Sequence, residues 1–106
     1  MTKIIINGLT NLAFPIRNYN RNTNIENEFI NSDAYINAEY SEAIVNLINN
    51  NNIITSIQIL NNDNQTIYSL SDINAKVYNV NEYLEDGHMI LNISIRFDNS
   101  QDEIEE

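Results

Sequence analysis

The sequence predicts a mainly β fold of the α+β kind: an antiparallel β-meander or sandwich-like sheet with one short helix. Three observations carry that expectation. Between His88 and Phe97, Met89, Leu91, Ile93, Ile95 and Phe97 share one parity, while His88, Asn92, Ser94 and Arg96 share the other, with Ile90 the exception. Period-two alternation marks a strand with one face on a core and the other toward water. Asp86-Gly87 stands just before this run. Asp-Gly between β-rich stretches signals a tight hairpin, because glycine tolerates positive φ. Ile53 to Leu60 is rich in β-branched residues, which suit a pleated, half-buried surface.

Taken in order, Lys3 to Asn7 reads as a short apolar strand broken at Gly8, and Asn11 to Arg17 as a second strand. Pro15 cannot donate to a ladder, so that strand belongs at a sheet edge or bends there. Asn18 to Asn27 is Asn, Arg and Thr with little apolar content, and is expected to be a long loop. Ala34, Ile36, Ala38 and Tyr40 alternate with Tyr35, Asn37 and Glu39, which predicts a strand. The period changes over Ser41 to Ile48. Ile44, Leu47 and Ile48 share a helical face, Ser41 is a suitable N-cap, and Glu42 places an acid in the first turn. Asparagines 49–52 end the helix, since their side chains compete for the backbone and tolerate the left-handed conformation.

Ile53 to Leu60 and Gln65 to Leu70 are expected as strands on either side of a turn at Asn61 to Asn64. Ser71 to Leu84 fits two readings. Ile73, Val77, Val80 and Leu84 have helical spacing behind Ser71. As a strand, Ile73, Ala75 and Val77 alternate with Asn74, Lys76 and Tyr78, and Val80 then needs a bulge. Residue types and the following hairpin favour the strand. Met89, Leu91, Ile93, Ile95 and Phe97 should form the core with Ile57 and Ile59. Ile54, Leu60 and Ile90 put apolar groups on the second parity, so the helix or a partner should cover a second face.

A chain of 106 residues, 42% hydrophobic, can bury the core of one domain. Residues 1–98 are expected to form it, and 99–106 to be an acidic, mobile tail. There are 15 acids against 5 bases, for a net charge of -10. Phosphate recognition needs clustered Lys and Arg, so direct nucleic-acid or anionic-membrane binding is not expected. Asp98, Asp102, Glu103, Glu105 and Glu106 all follow the last strand, so much of the charge belongs to the tail. Cysteine is absent, which removes disulfides and thiolate metal sites. No apolar run approaches the roughly 20 residues that span a bilayer, and no cleavable signal is legible. A cytoplasmic or virion location is therefore expected. Abundant Asn and Ile with scarce Gly, Pro and Trp suggest an AT-rich coding genome, such as a low-GC bacterium or its phages.

No constellation of reactive residues converges. His88 is the single histidine, and Ser69 or Ser71 with Asp72 forms no nucleophile elbow. Asn61 to Gln65 with Asp72 mimics the ends of a calcium loop, but Thr66 stands where the loop needs glycine. Turn chemistry explains those Asn and Asp residues better. Glu82 with Glu85 or Asp86 reads as a solvated hairpin tip. With Gly8 and Gly87 the only glycines, the glycine-rich phosphate loops are missing. No catalytic, cofactor-binding or metal-binding residue is assigned, and no cofactor is expected.

The tyrosines are the more suggestive resource, since a large apolar body with a polar tip suits interfaces. Tyr35, Tyr68, Tyr78 and Tyr83, with Ile54 and Ile90, are the candidate interface residues. The expected function is a non-enzymatic protein–protein interaction module. It would be a small phage or prophage assembly subunit (a virion or baseplate accessory), forming a homo-oligomer or joining other subunits. The alternative is a small acidic inhibitor of a basic, nucleic-acid-binding host protein, such as a defence nuclease, in the anti-CRISPR manner.

Overall fold

The computed structural model describes residues 1–26, 29–49 and 53–98; the expected tail 99–106 and asparagines 50–52 lie outside them. The elements are β1 (Lys3–Gly8), β2 (Asn11–Pro15), β3 (Asn18–Glu26), β4 (Phe29–Glu39), α1 (Glu42–Asn49), β5 (Ile53–Leu60), β6 (Thr66–Leu70), β7 (Ala75–Glu85) and β8 (His88–Phe97). The strands form one antiparallel sheet in the order β2-β1-β5-β7-β8-β4-β3, with β6 pairing β5 off this path. The mainly β expectation holds, and β8 lies centrally between β7 and β4. The meander is interrupted. β6 does not pair β7, because β5 carries β6 at Ile57 to Leu60 and β7 only at Ile53 and Ile54.

Chain connectivity forces the sheet to curl. β2 and β3 are the two ends of the strand order, yet only Ile16 and Arg17 separate them in sequence. The Ile16 amide donates to the Thr2 carbonyl and the Arg17 amide to the Asn37 carbonyl, tying the link to both ends of the sheet. The inside of this curl is the core. It collects Ile4, Ile6 and Phe14 from β1 and β2, Ile57 and Ile59 from β5, Ile36 from β4 and Leu91, Ile93, Ile95 and Phe97 from β8. The helix adds Ile44 and Leu47 and lies against β2.

Two bulges explain why apolar residues fall on both parities. The β1–β5 register shifts after Asn7, so that Ser56 pairs with Asn7 but Ile54 with Gly8. One skipped residue turns the strand over, and Ile54 and Ile57 both face the core. Gly8 is required there by close approach: a Cβ would collide with the Ile53 carbonyl oxygen. The β7–β8 register shifts between Val77 and Asn79, the bulge that Val80 was expected to need, and Val77 and Val80 both pack on the core. β7 is therefore a strand and not a helix. Its hairpin closes with Glu85 opposite His88 and with φ of 52° at Asp86 and 79° at Gly87. Positive φ at both central residues defines the tight turn that Asp-Gly favours.

Three expectations need correction. Asn18 to Glu26 is a strand and not a loop, paired with β4 at all nine positions. Cross-strand pairing outweighs the low strand preference of asparagine. Met89 has the parity of the core but is 40% exposed, opposite a still more exposed Leu84. The β7–β8 ribbon runs past the end of the core, so parity there no longer implies burial. Ser41 does precede the helix, and its carbonyl accepts from the Val45 amide, but its hydroxyl is buried without a hydrogen-bond partner. It does not cap.

Candidate functional site

Two surfaces gather the polar and aromatic side chains. The first is the outer face of β3, β4, β8 and β7. Pairing aligns Asn18, Asn37, Asn92 and Asn81 in one row across the four strands. The next row holds Asn20, Tyr35, Ser94 and Asn79, and the one beyond it Asn22, Asp33, Arg96 and Lys76. Asn37 Nδ2 donates to Asn92 Oδ1 at 2.6 Å and to the Tyr83 hydroxyl at 3.0 Å. Arg96 Nε bonds Asp33 Oδ1 at 3.2 Å, and its guanidinium lies 4.0 Å from the centre of the Tyr78 ring. The hydrogen bond to Tyr78 is the main cause of the Tyr35 phenol lying above its ordinary value. These contacts cross-link β4, β8 and β7 on this face through Asn37, Asn92 and Tyr83 and through Asp33, Arg96 and Tyr78.

The second surface is the seam where the curled sheet fails to close. Among the described residues β2 pairs β1 alone, β6 pairs β5 alone and β3 pairs β4 alone. At the seam the Tyr19 ring of β3 meets the Tyr68 ring of β6, with centroids 5.3 Å apart and planes tilted by 51°. Their hydroxyls are 3.5 Å apart. Burial, and then the contact with Tyr68, push the Tyr19 phenol well above its usual range. A groove of about 590 Å³ runs beside this pair, lined by Ile16, Ile59, Ile67 and the chain from Arg17 to Arg21. Arg21 is held by Ser32 Oγ at 2.6 Å and stacks 4.4 Å from the centre of the Phe97 ring.

Four stretches of edge are open among the described residues, because β7 pairs β5 only at Ala75 and Lys76, and they are not equivalent. The β7 stretch beyond Lys76 carries the bulge at Val77 to Asn79 and the acids Glu82 and Glu85. An unpaired edge offers backbone donors and acceptors to any extended chain, and proteins blunt such edges with Pro, bulges, short length or charge. β2 has five residues and Pro15. β6 has five residues and a register shift against β5 at Leu60. β3 has nine residues, no Pro and no register shift, and Arg21 is the one charge between its end residues. Ile25, on the inner parity of β3, is 65% exposed.

The sequence-predicted interface residues separate accordingly. Tyr35, Tyr78 and Tyr83 share the outer face, whereas Tyr68 belongs to the seam. Ile54 and Ile90 are corrected: both are buried, at 0% and 2% exposure, and offer no surface to a partner. The bulge carries Ile54 into the core. Ile90 lines a small cavity beneath the hairpin, with Arg17, Glu85 and Glu39 around it. The Arg17–Glu85 ion pair, at 3.2 Å, ties the β2–β3 link to that hairpin. His88 sits at the surface with Nδ1 2.6 Å from Glu39 Oε2.

Sequence reasoning missed Tyr19, Ile25 and the β3 edge. The signal was present, because Tyr19, Arg21, Thr23 and Ile25 alternate strictly with Asn18, Asn20, Asn22 and Asn24. Among the described residues no group of three or more His, Asp or Glu side chains is placed to hold a metal. No helix among them is long and apolar enough to cross a membrane. No protein-family model and no curated protein matches the chain.

Proposed function

We propose that this chain is a non-enzymatic interaction subunit that joins a larger protein assembly by strand addition at the free edge of β3. A phage or prophage assembly is the setting that its coding style suggests. The observation that carries this reading is the contrast among the open edges. β2, β6 and the open part of β7 are blunted, and β3 is long, regular and open beside a groove that mixes isoleucine and tyrosine with polar side chains. Strand addition draws affinity from main-chain hydrogen bonds and specificity from pockets that take alternate side chains. The groove beside Tyr19 is suited to that second role.

An inhibitor aimed at a basic partner would gather unpaired acids on one face. Here Asp33 and Glu85 are paired with Arg96 and Arg17. The other acids are spread over separate elements, with Glu42 on the helix, Asp63 in the β5–β6 turn, Asp72 before β7 and Glu82 on β7, which favours the assembly reading. The test is the mass of the protein in solution over a wide concentration range, alone and mixed with candidate structural subunits. A homo-oligomer or a stable complex with those subunits is expected, unchanged by His88→Ala. A strict monomer that binds none of them, or an activity abolished by His88→Ala, would overturn the reading.

A further inference from the structure

The β3 edge is complementary to itself, and we infer that it is occupied by the β3 of a second copy of this chain, paired antiparallel about a two-fold axis through Asn22. The inference rests on the strand-addition reading above and names its partner. In an antiparallel pair, directly opposed residues lie on the same face. A two-fold axis normal to the sheet therefore allows only registers in which opposed residues have equal parity. Centring on Arg21 sets that cation against its own copy. Centring on Thr23 shortens the ladder by two residues. Centring on Asn22 matches all nine residues of the strand.

In that register every opposed pair in the interior of the strand is compatible. Asn22 meets the second copy's Asn22, and Asn20 meets its Asn24, so carboxamides that both donate and accept face each other. Arg21 meets Thr23. Tyr19 meets Ile25, which is 65% exposed and lies at the end of its own strand away from the seam. The second copy's Ile25 is thereby brought to the groove lined by Ile16, Ile59, Ile67 and Tyr68. Ile67, itself 59% exposed, would be covered in the same step. Symmetry repeats the contact at the other end, as an isologous interface must. The closed pair would then cover the β3 edge, the one open edge among the described residues without a proline, a bulge or a pair of acids to blunt it. Each copy carries a formal charge of -10, so association works against mutual repulsion that salt screens. The dimer should tighten as salt is added.

Sedimentation of the full chain, from micromolar to millimolar and at low and moderate salt, tests this with charges placed on the axis. Asn22 is exposed, so Asn22→Glu and Asn22→Lys should fold normally, as melting curves will check. Each variant alone should dimerise about tenfold more weakly or worse, because like charges directly opposed on a ladder destabilise it. An equimolar mixture of the two should recover dimer, since the axis then pairs opposite charges. Ile25→Asn should weaken dimerisation without lowering the melting temperature of the monomer. A wild-type protein that stays monomeric at millimolar concentration overturns the inference. So does a dimer indifferent to both charge variants, or a mixture no better than its components. A monomer that still binds other subunits would overturn self-pairing and leave strand addition standing, whereas a monomer that binds nothing overturns both.

Discussion

Ile93→Ala should be one of the most damaging conservative changes in this chain. Ile93 is fully buried at the middle of the central strand, opposite Ile36 on β4 and Val80 on β7. Truncation removes three carbons, or about 2.4 kcal/mol of transfer free energy at roughly 0.8 kcal/mol per methylene. The cavity left between two paired strands cannot collapse freely, which raises the total to about 3 to 4 kcal/mol. At roughly 4 °C or more per kcal/mol for a domain near this size, the melting temperature should fall by more than about 12 °C. Met89→Ala is the internal control. It lies on the same strand and parity but is 40% exposed on the projecting hairpin, and it should cost less than about 1 kcal/mol. Urea unfolding of both variants, at an unchanged denaturant slope, reads the difference directly. A loss below about 0.5 kcal/mol for Ile93→Ala, the range of surface substitutions, would refute the placement of β8.

Other changes probe features that the sequence disguised. Ser41→Ala should be neutral or slightly stabilising in a thermal melt, because the hydroxyl is buried without a partner; a loss near 1 kcal/mol would show a working cap instead. Gly8→Ala should destabilise the fold by about 1 to 3 kcal/mol or more, through collision with the Ile53 carbonyl at the bulge. Base titration should single out Tyr19. Its phenol is raised above the ordinary 10.0, by burial first and then by Tyr68, so the folded state favours the neutral form. That contribution is complete below the unfolded value and is lost as pH climbs beyond it. Tyr19→Phe should therefore flatten the decline in stability above about pH 10, and an unchanged slope would contradict the buried Tyr19–Tyr68 contact.

The parts of the fold legible in sequence were those where local and global signals agree. Asp86-Gly87 announced its hairpin, Pro15 its edge strand, and Ile44 with Leu47 the buried face of the helix. Asn61 formed the expected turn: its Oδ1 accepts from the amides of Asp63 and Gln65. Bulges were harder, because a single skipped residue inverts the parity on which strand patterns rest. Ile54 read as a second-face residue for that reason, although Val80 betrayed its own bulge. Parity also cannot tell where a ribbon outruns the core, as at Met89. β3 was illegible for a different reason. Asn18, Asn20, Asn22 and Asn24 suggest a loop by composition, while the period-two order of Tyr19, Arg21, Thr23 and Ile25 between them suggests a strand. Over Asn18–Glu26 composition and order point opposite ways, and the fold follows the order, which sets the free edge of β3 among asparagines.

Hydrogen–deuterium exchange along residues 18–26 tests the central claim most directly, by comparing dilute protein with protein at high concentration or in complex with its subunits. Among the described residues β3 forms a ladder with β4 alone, so the amides of Tyr19, Thr23 and Ile25 on its other side should exchange fast when the protein is dilute. The account predicts that these amides slow markedly on association while the β2 and β6 edges keep their rates. Association that protects β2, β6 or the outer tyrosine face and leaves the β3 amides unchanged would contradict it.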